Sequence, residues 1–192
     1  MNIRELHELV NTPLFTTQQV KSIFRNDSGS NILVQLKRWS KNNEIIRLKR
    51  GLYIFKDVKI EEYTIAHALY SPSYVSLESA LNHQGVIPDI PELLTSVCPT
   101  TPRTFVTALG TYSYSRIQPK LFFGYTLISD AQSGLPYQIA SPAKALLDLI
   151  YVRNYRSIVD LRIDWSAINK PEIRKYSLLY PGWVQSIIKQ YV

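Results

Sequence analysis

One cysteine in 192 residues, Cys98, leaves no internal disulfide, no thiolate zinc cluster and no Cys-x-x-Cys redox pair. Its expected role is that of a small buried hydrophobe. The three histidines, His7, His67 and His83, are dispersed, so no His-x-x-x-His or Cys-His cluster offers metal ligands. The seven glycines are too isolated to form a phosphate-cradling loop. Long apolar runs are missing as well. The first residues, Met1-Asn2-Ile3-Arg4-Glu5-Leu6, hold no signal-peptide core, and the longest apolar stretch, Ala145 to Val152, is interrupted by Asp148. That stretch is far short of the roughly 20 residues that span a bilayer, so a cytoplasmic protein without membrane contact is expected. No metal or other cofactor is called for.

Two carboxylate pairings could support chemistry. Glu78 with His83 would make an acid–base pair, and Asp89 with Glu92 a nuclease metal site. Both spacings arise easily by chance. Glu78 falls in the first turn of a predicted helix, where a negative charge suits the dipole, and Asp89 lies between Pro88 and Pro91 in a loop. The chain is read as a non-enzyme, with a metal-dependent nuclease as the weakest alternative.

What the sequence does have is a hydrophobic content of 45% and a net charge of +7. The first allows a real core, and the length suggests one large domain or two small ones, of which two are expected. The charge is unevenly placed. Residues 1–59 hold eleven Lys or Arg against five acids, an excess of +6, whereas residues 60–192 hold eleven against ten, an excess of +1. A localised basic surface gathers polyanions, and release of counterions makes it a phosphate-binding footprint.

Patterning within residues 1–59 predicts three short helices and a hairpin. The first helix runs from Asn2 to Val10, with Asn2 as N-cap, and Thr12-Pro13 ends it. A capping box, Thr16-Thr17-Gln18-Gln19, opens the second, which buries Val20, Ile23 and Phe24. Asp27-Ser28-Gly29-Ser30 is read as a turn. The third helix spans about Asn31 to Asn43, with Ile32, Leu33, Leu36 and Trp39 on its apolar face and Asn31, Gln35, Arg38 and Asn42 opposite, flanked by Lys37 and Lys41. Asn and Gln bond adenine edges, Arg bonds guanine and lysines bond phosphates, from an element that fits the major groove. Two β-rich runs then follow, Ile45-Ile46-Arg47-Leu48 and Leu52-Tyr53-Ile54-Phe55, joined by Lys49-Arg50-Gly51. The expected architecture is a winged helix-turn-helix that binds double-stranded DNA. Its candidate contacts are Asn31, Gln35, Lys37, Arg38, Lys41 and Asn42 on the helix, with Arg47, Lys49, Arg50 and Tyr53 on the wing. The alternative is a winged helix used for protein contacts.

Residues 60–192 have a different character. Helices are predicted for Glu61 to Tyr70, for Ser76 to Gln84 with a serine cap, from Ser141-Pro142 onward, and for about Gly182 to Gln190. Strands are predicted at Leu94 to Cys98, Thr104 to Leu109, Tyr112 to Ile117, Leu121 to Ile128 and Tyr137 to Ile139. The fold class is α+β, with a mixed or antiparallel sheet behind the winged helix. Tyr112, Tyr114 and Tyr125, three of the thirteen tyrosines, are expected to pack on that sheet. A protein or second DNA interface would draw on these with Arg103, Arg116 and Lys120.

Three blocks resemble a known family. They are the Lys49-Arg50-Gly51-Leu52-Tyr53 wing, the stretch Ser73-Tyr74-Val75-Ser76-Leu77-Glu78-Ser79-Ala80-Leu81-Asn82-His83-Gln84-Gly85, and Ile139-Ala140-Ser141-Pro142-Ala143-Lys144-Ala145-Leu146-Leu147-Asp148-Leu149. In this order, over roughly residues 1–150, they look like the AbiEi antitoxins, bacterial transcriptional regulators of type IV toxin–antitoxin and abortive-infection phage-defence systems. The resemblance implies an N-terminal winged helix, a C-terminal antitoxin domain and autorepression at repeats in the protein's own promoter. It also implies a nucleotidyltransferase-like toxin as genetic, and in some systems physical, partner. A homodimer on a palindromic site is compatible with it.

Overall fold

The computed structural model describes all residues, Met1–Val192. Helix α1 (Ile3–Leu9) starts where Asn2 accepts the Glu5 N–H at 2.8 Å and the Glu5 carboxylate accepts the Asn2 N–H at 3.3 Å. Strand β1 (Leu14–Thr16) leads into α2 (Thr17–Ile23), whose capping box pairs Thr16 Oγ1 with the Gln19 N–H at 3.2 Å and Gln19 Oε1 with the Thr16 N–H at 2.7 Å. These reciprocal bonds satisfy donors that a helix start otherwise leaves open. Helix α3 (Gly29–Lys41) begins two residues before the expected Asn31. Ser28 Oγ accepts the Asn31 N–H at 3.2 Å, so the expected turn is a cap followed by the first helical turn. Strands β2 (Ile45–Lys49) and β3 (Leu52–Phe55) form the predicted hairpin, turning at Gly51 with φ +81°, a conformation that glycine adopts without strain. The hairpin completes a three-stranded antiparallel sheet, order β1-β3-β2.

The remainder builds a mixed sheet with helices. In chain order it contains α4 (Glu62–Leu69), β4 (Tyr74–Val75), α5 (Leu77–His83), β5 (Leu94–Cys98), β6 (Arg103–Thr107), β7 (Gly110–Arg116), β8 (Tyr125–Ser129), β9 (Pro136–Ala140), α6 (Pro142–Arg153), α7 (Lys170–Ser177) and α8 (Gly182–Ile188). The strand order is β6-β7-β5-β4-β9-β8, parallel at β4/β9 and β5/β7 and antiparallel elsewhere. The molecule is therefore α+β, and no helix is long and apolar enough to cross a membrane. Strands β1 and β4 and helix α7 were not anticipated. The two strands are only three and two residues long and exist through pairing with distant segments. Tyr112 and Tyr114 are buried in the core, and Tyr125 stacks on buried Tyr74 with ring centroids 4.6 Å apart.

The hairpin belongs to two cores at once. Tyr53 and Phe55 face a smaller apolar cluster with Leu6, Val20, Ile32, Leu36 and Trp39. Their neighbours Leu52 and Ile54 face the larger cluster, with Leu14, Leu48, Ile65 and Leu69. All four residues of β3 are buried, as the period-two alternation of a strand allows when both faces are covered. Residues 1–59 thus share a packing layer with residues 60–192.

Helix α6 carries a buried ion pair, Lys144 with Asp148, one turn apart. Asp148 also accepts Tyr74 Oη at 2.9 Å, Ser76 Oγ at 2.8 Å and Tyr180 Oη at 2.6 Å, so the carboxylate is fully hydrogen-bonded. Burial lowers the Lys144 pKa, against the opposing attraction of Asp148, and burial likewise raises those of Tyr74 and Tyr180. Ser76 occupies the N-cap of α5, as expected, but its side chain bonds Asp148 and makes no cap bond.

The shared layer has a measurable consequence. Ile54→Ala should cost about 2–5 kcal/mol, the usual range for truncating a buried aliphatic side chain. In the wild type, urea unfolding followed by tryptophan fluorescence and by far-ultraviolet circular dichroism should give one coincident transition. Two separated transitions would mean that the clusters fold independently.

Candidate nucleic-acid interface

Between α3 and the hairpin lies a groove of ≈ 810 Å³. Lys37 and Lys41 reach it from α3, Arg47 and Arg50 from the hairpin, and Lys21 from α2. Thr17 and Ser40 add hydroxyls, and Leu33 and the buried Tyr53 add apolar surface. The lining holds five cations and no carboxylate. None of the five takes part in an ion pair, the four pairs of the protein being Met1–Asp27, Lys144–Asp148, Arg153–Glu78 and Arg162–Asp89. A concave surface of one sign focuses its potential into the groove, and guanidinium forks and ammonium groups are the natural partners of phosphate oxygens.

Local structure fixes each wall. Ile32, Leu36 and Trp39 pin α3 to the small core, which turns Leu33, Lys37, Ser40 and Lys41 toward the hairpin. Gly29, in the first turn of α3, lies under Lys21, since a Cβ there would stand 3.5 Å from Lys21 Cε. Gly51 accepts the Thr17 N–H at 3.0 Å, tying the hairpin tip to the start of α2. Arg47 pairs with Tyr53 across the hairpin and lies on the groove side of the sheet.

Of the residues singled out in the sequence, Lys37, Lys41, Arg47, Arg50 and Tyr53 are brought together here. Tyr53 contributes as floor, because only 6% of its surface is exposed and its ring stacks on Phe15 at 5.8 Å. Asn31, Gln35, Arg38 and Asn42 are not part of the groove. At about 100° per residue they occupy the flank of α3 roughly 145° away from Leu33, Lys37, Ser40 and Lys41. Gln35 is half-buried, and Asn42 ends the helix with its side-chain amide donating to Glu44 Oε1 at 3.3 Å. Leu33 also departs from expectation, being 49% exposed at the groove wall rather than in the core.

Lys49 is the clearest correction. The register of β2 shifts between Arg47 and Lys49, a β-bulge that pairs Lys49 with Leu52 and turns it away from Arg47. Lys49 Nζ donates to the Leu69 carbonyl at 2.6 Å and lies 5.9 Å from the centre of the Phe105 ring. Burial, and then the nearby Arg103 charge, lower its pKa. Lys49 therefore fastens the hairpin to α4 and is not a free cation of the wing.

Sequence reasoning missed Lys21, Thr17 and Ser40. For Lys21 the available signal was a lone lysine on the exposed side of a helix, eight residues before the glycine that starts α3. Of the four side chains weighed for chemistry, Glu78, His83 and Asp89 are engaged elsewhere. Glu78 accepts Arg153 at 2.7 and 3.0 Å, His83 packs on the Tyr63 ring at 4.7 Å, and Asp89 pairs with Arg162 at 2.5 Å. Arg103 lies over the Tyr70 ring at 5.5 Å, beside Lys49 rather than the groove.

The two adjacent wing cations should separate in a stability assay. Lys49→Ala removes a charged donor from a partly buried carbonyl and should cost about 1–2 kcal/mol in urea unfolding, whereas exposed Arg50→Ala should stay within about 0.5 kcal/mol of wild type. Equal effects would contradict the bulge geometry. Compared with known proteins, the chain matches no family model and no curated protein.

Proposed function

We propose that residues 1–59 are a winged helix-turn-helix that binds double-stranded DNA, and that the protein is a transcriptional regulator. The observation that carries this reading is the groove between α3 and the hairpin, with five unpaired cations and no acid. The element order α1-β1-α2-α3-β2-β3 supports it, because a winged helix follows its recognition helix with a hairpin that reaches the DNA backbone. Lys21, Lys37, Lys41, Arg47 and Arg50 then hold phosphates and set orientation, while the outward side of α3 faces base edges.

The regulatory role follows from the resemblance to AbiEi antitoxins. In this reading the protein represses its own operon at promoter repeats and counters a nucleotidyltransferase-like toxin encoded beside it, in phage defence within the cytoplasm. Two of the resembling blocks are joined by the buried network, Tyr74 and Ser76 from one and Lys144 and Asp148 from the other. That gives those positions a structural reason for their residue types.

The test is binding of the purified full chain to a duplex from upstream of its gene, titrated over a range of salt concentrations. The logarithm of the binding constant should fall linearly with the logarithm of salt concentration. Lys37→Ala, Lys41→Ala, Arg47→Ala and Arg50→Ala should each reduce the steepness of that slope by about 0.9, and Lys49→Ala should leave it unchanged. Absence of salt-sensitive binding, with co-purification of the neighbouring gene product, would favour a protein-interaction module. Cleavage of the duplex with added magnesium, abolished by chelation, would favour a nuclease.

A further inference from the structure

We propose that α3 reads thymine methyl groups in the major groove through Val34 and Leu33, an inference that rests on the DNA-binding reading above. Val34 is 66% exposed and Leu33 49% exposed, while the core face of the same helix is filled by Ile32, Leu36 and Trp39. Scattered apolar side chains on a surface are ordinary. These two are neighbours on the one helix that walls the cationic groove. At about 100° per residue Val34 stands almost opposite the core face, with exposed Arg38 to one side of it and exposed Lys37 and Lys41 to the other.

That arrangement selects its occupant by charge. An apolar protein or lipid surface laid on Val34 would also cover Lys37, Arg38 and Lys41 and leave their charges without partners. The fitting surface is apolar at one point and anionic around it. A thymine in the major groove presents a C5 methyl group between phosphate-lined walls. Val34 suits such a contact because its β-branched side chain is held near a single rotamer in a helix, so its methyl groups keep their direction on binding. Leu33, on the groove wall, lies about 100° around the helix from Val34, on the side of the hairpin, and would meet a neighbouring base.

Deoxyuridine provides the test, since it lacks the methyl group of thymidine and keeps every other major-groove group. A randomised duplex library is selected against the full chain, and the selected duplex is resynthesised with deoxyuridine at each thymidine in turn. Fluorescence anisotropy at one fixed salt concentration then reads the affinity. One or two positions should lose about fourfold in affinity, the value of one buried methyl group. Val34→Ala or Leu33→Ala should abolish that loss at its own position, and both substitutions place the strongest helix former in α3. Lys37→Ala should weaken the thymidine and deoxyuridine duplexes alike. Unchanged wild-type affinity at every position, or a fourfold loss that persists in both alanine variants, would overturn the inference and leave DNA binding standing. Failure of the library to yield any bound duplex would overturn both.

Discussion

Strand β3 is covered on both faces, and the placement of the groove cations depends on that constraint. With Tyr53 and Phe55 committed to one cluster and Leu52 and Ile54 to the other, the hairpin has one permitted register. A slip of one residue would exchange the two faces and bring Arg47 into the larger core. The bulge in β2 adds a second consequence. It lets Arg47 stay beside Tyr53 on the groove side while Lys49, two residues later, turns to the carbonyl of Leu69. One irregularity in the ladder thereby divides two basic neighbours between the groove and the anchorage to α4.

Gathering five like charges without a counter-ion opposes folding, so the groove must be held by something other than its own electrostatics. The small cluster supplies this through Ile32, Leu36 and Trp39 under α3 and through Tyr53 and Phe55 under the hairpin. The larger cluster braces the same strand from behind. The exposed cations remain solvated, where repulsion is modest and screened by salt, and a polyanion relieves it on binding. Buried charge follows a different logic. Lys144 and Asp148 sit in the interior because Tyr74, Ser76 and Tyr180 complete their hydrogen bonds, and removal of either partner would strand the other.

Local signals in the sequence carried well. The Asn2 cap, the Thr16 capping box, the hairpin with its glycine, the Ser141 cap and the β5 strand needed only neighbouring residues, and the structure has each of them. Signals were also present for α7, where Asn169 accepts the Glu172 N–H at 2.9 Å and Pro171 sits in the first turn. Non-local facts were not legible. The short strands β1 and β4 are defined by their partners, and the bulge that redirects Lys49 depends on how the hairpin meets α4. The polar flank of α3 was visible, but which flank faces the hairpin is decided by tertiary packing. Asn31, Gln35, Arg38 and Asn42 do share one face of α3, and that face is turned away from the cations between α3 and the hairpin. An ion pair inside α6 could have been suspected from Lys144 and Asp148 standing one turn apart in an otherwise apolar run.

The central claim, that the groove between α3 and the hairpin is where an anionic duplex lies, is tested most directly by lysine acetylation of the full chain with and without bound duplex, read residue by residue by mass spectrometry. Lys21, Lys37 and Lys41 should react freely alone and be protected by the duplex. Lys49 should react slowly in both states, and Lys170, Lys175 and Lys189 should be unaffected. Protection spread evenly over the lysines, or reactivity at Lys37 and Lys41 unchanged by the duplex, would contradict the account.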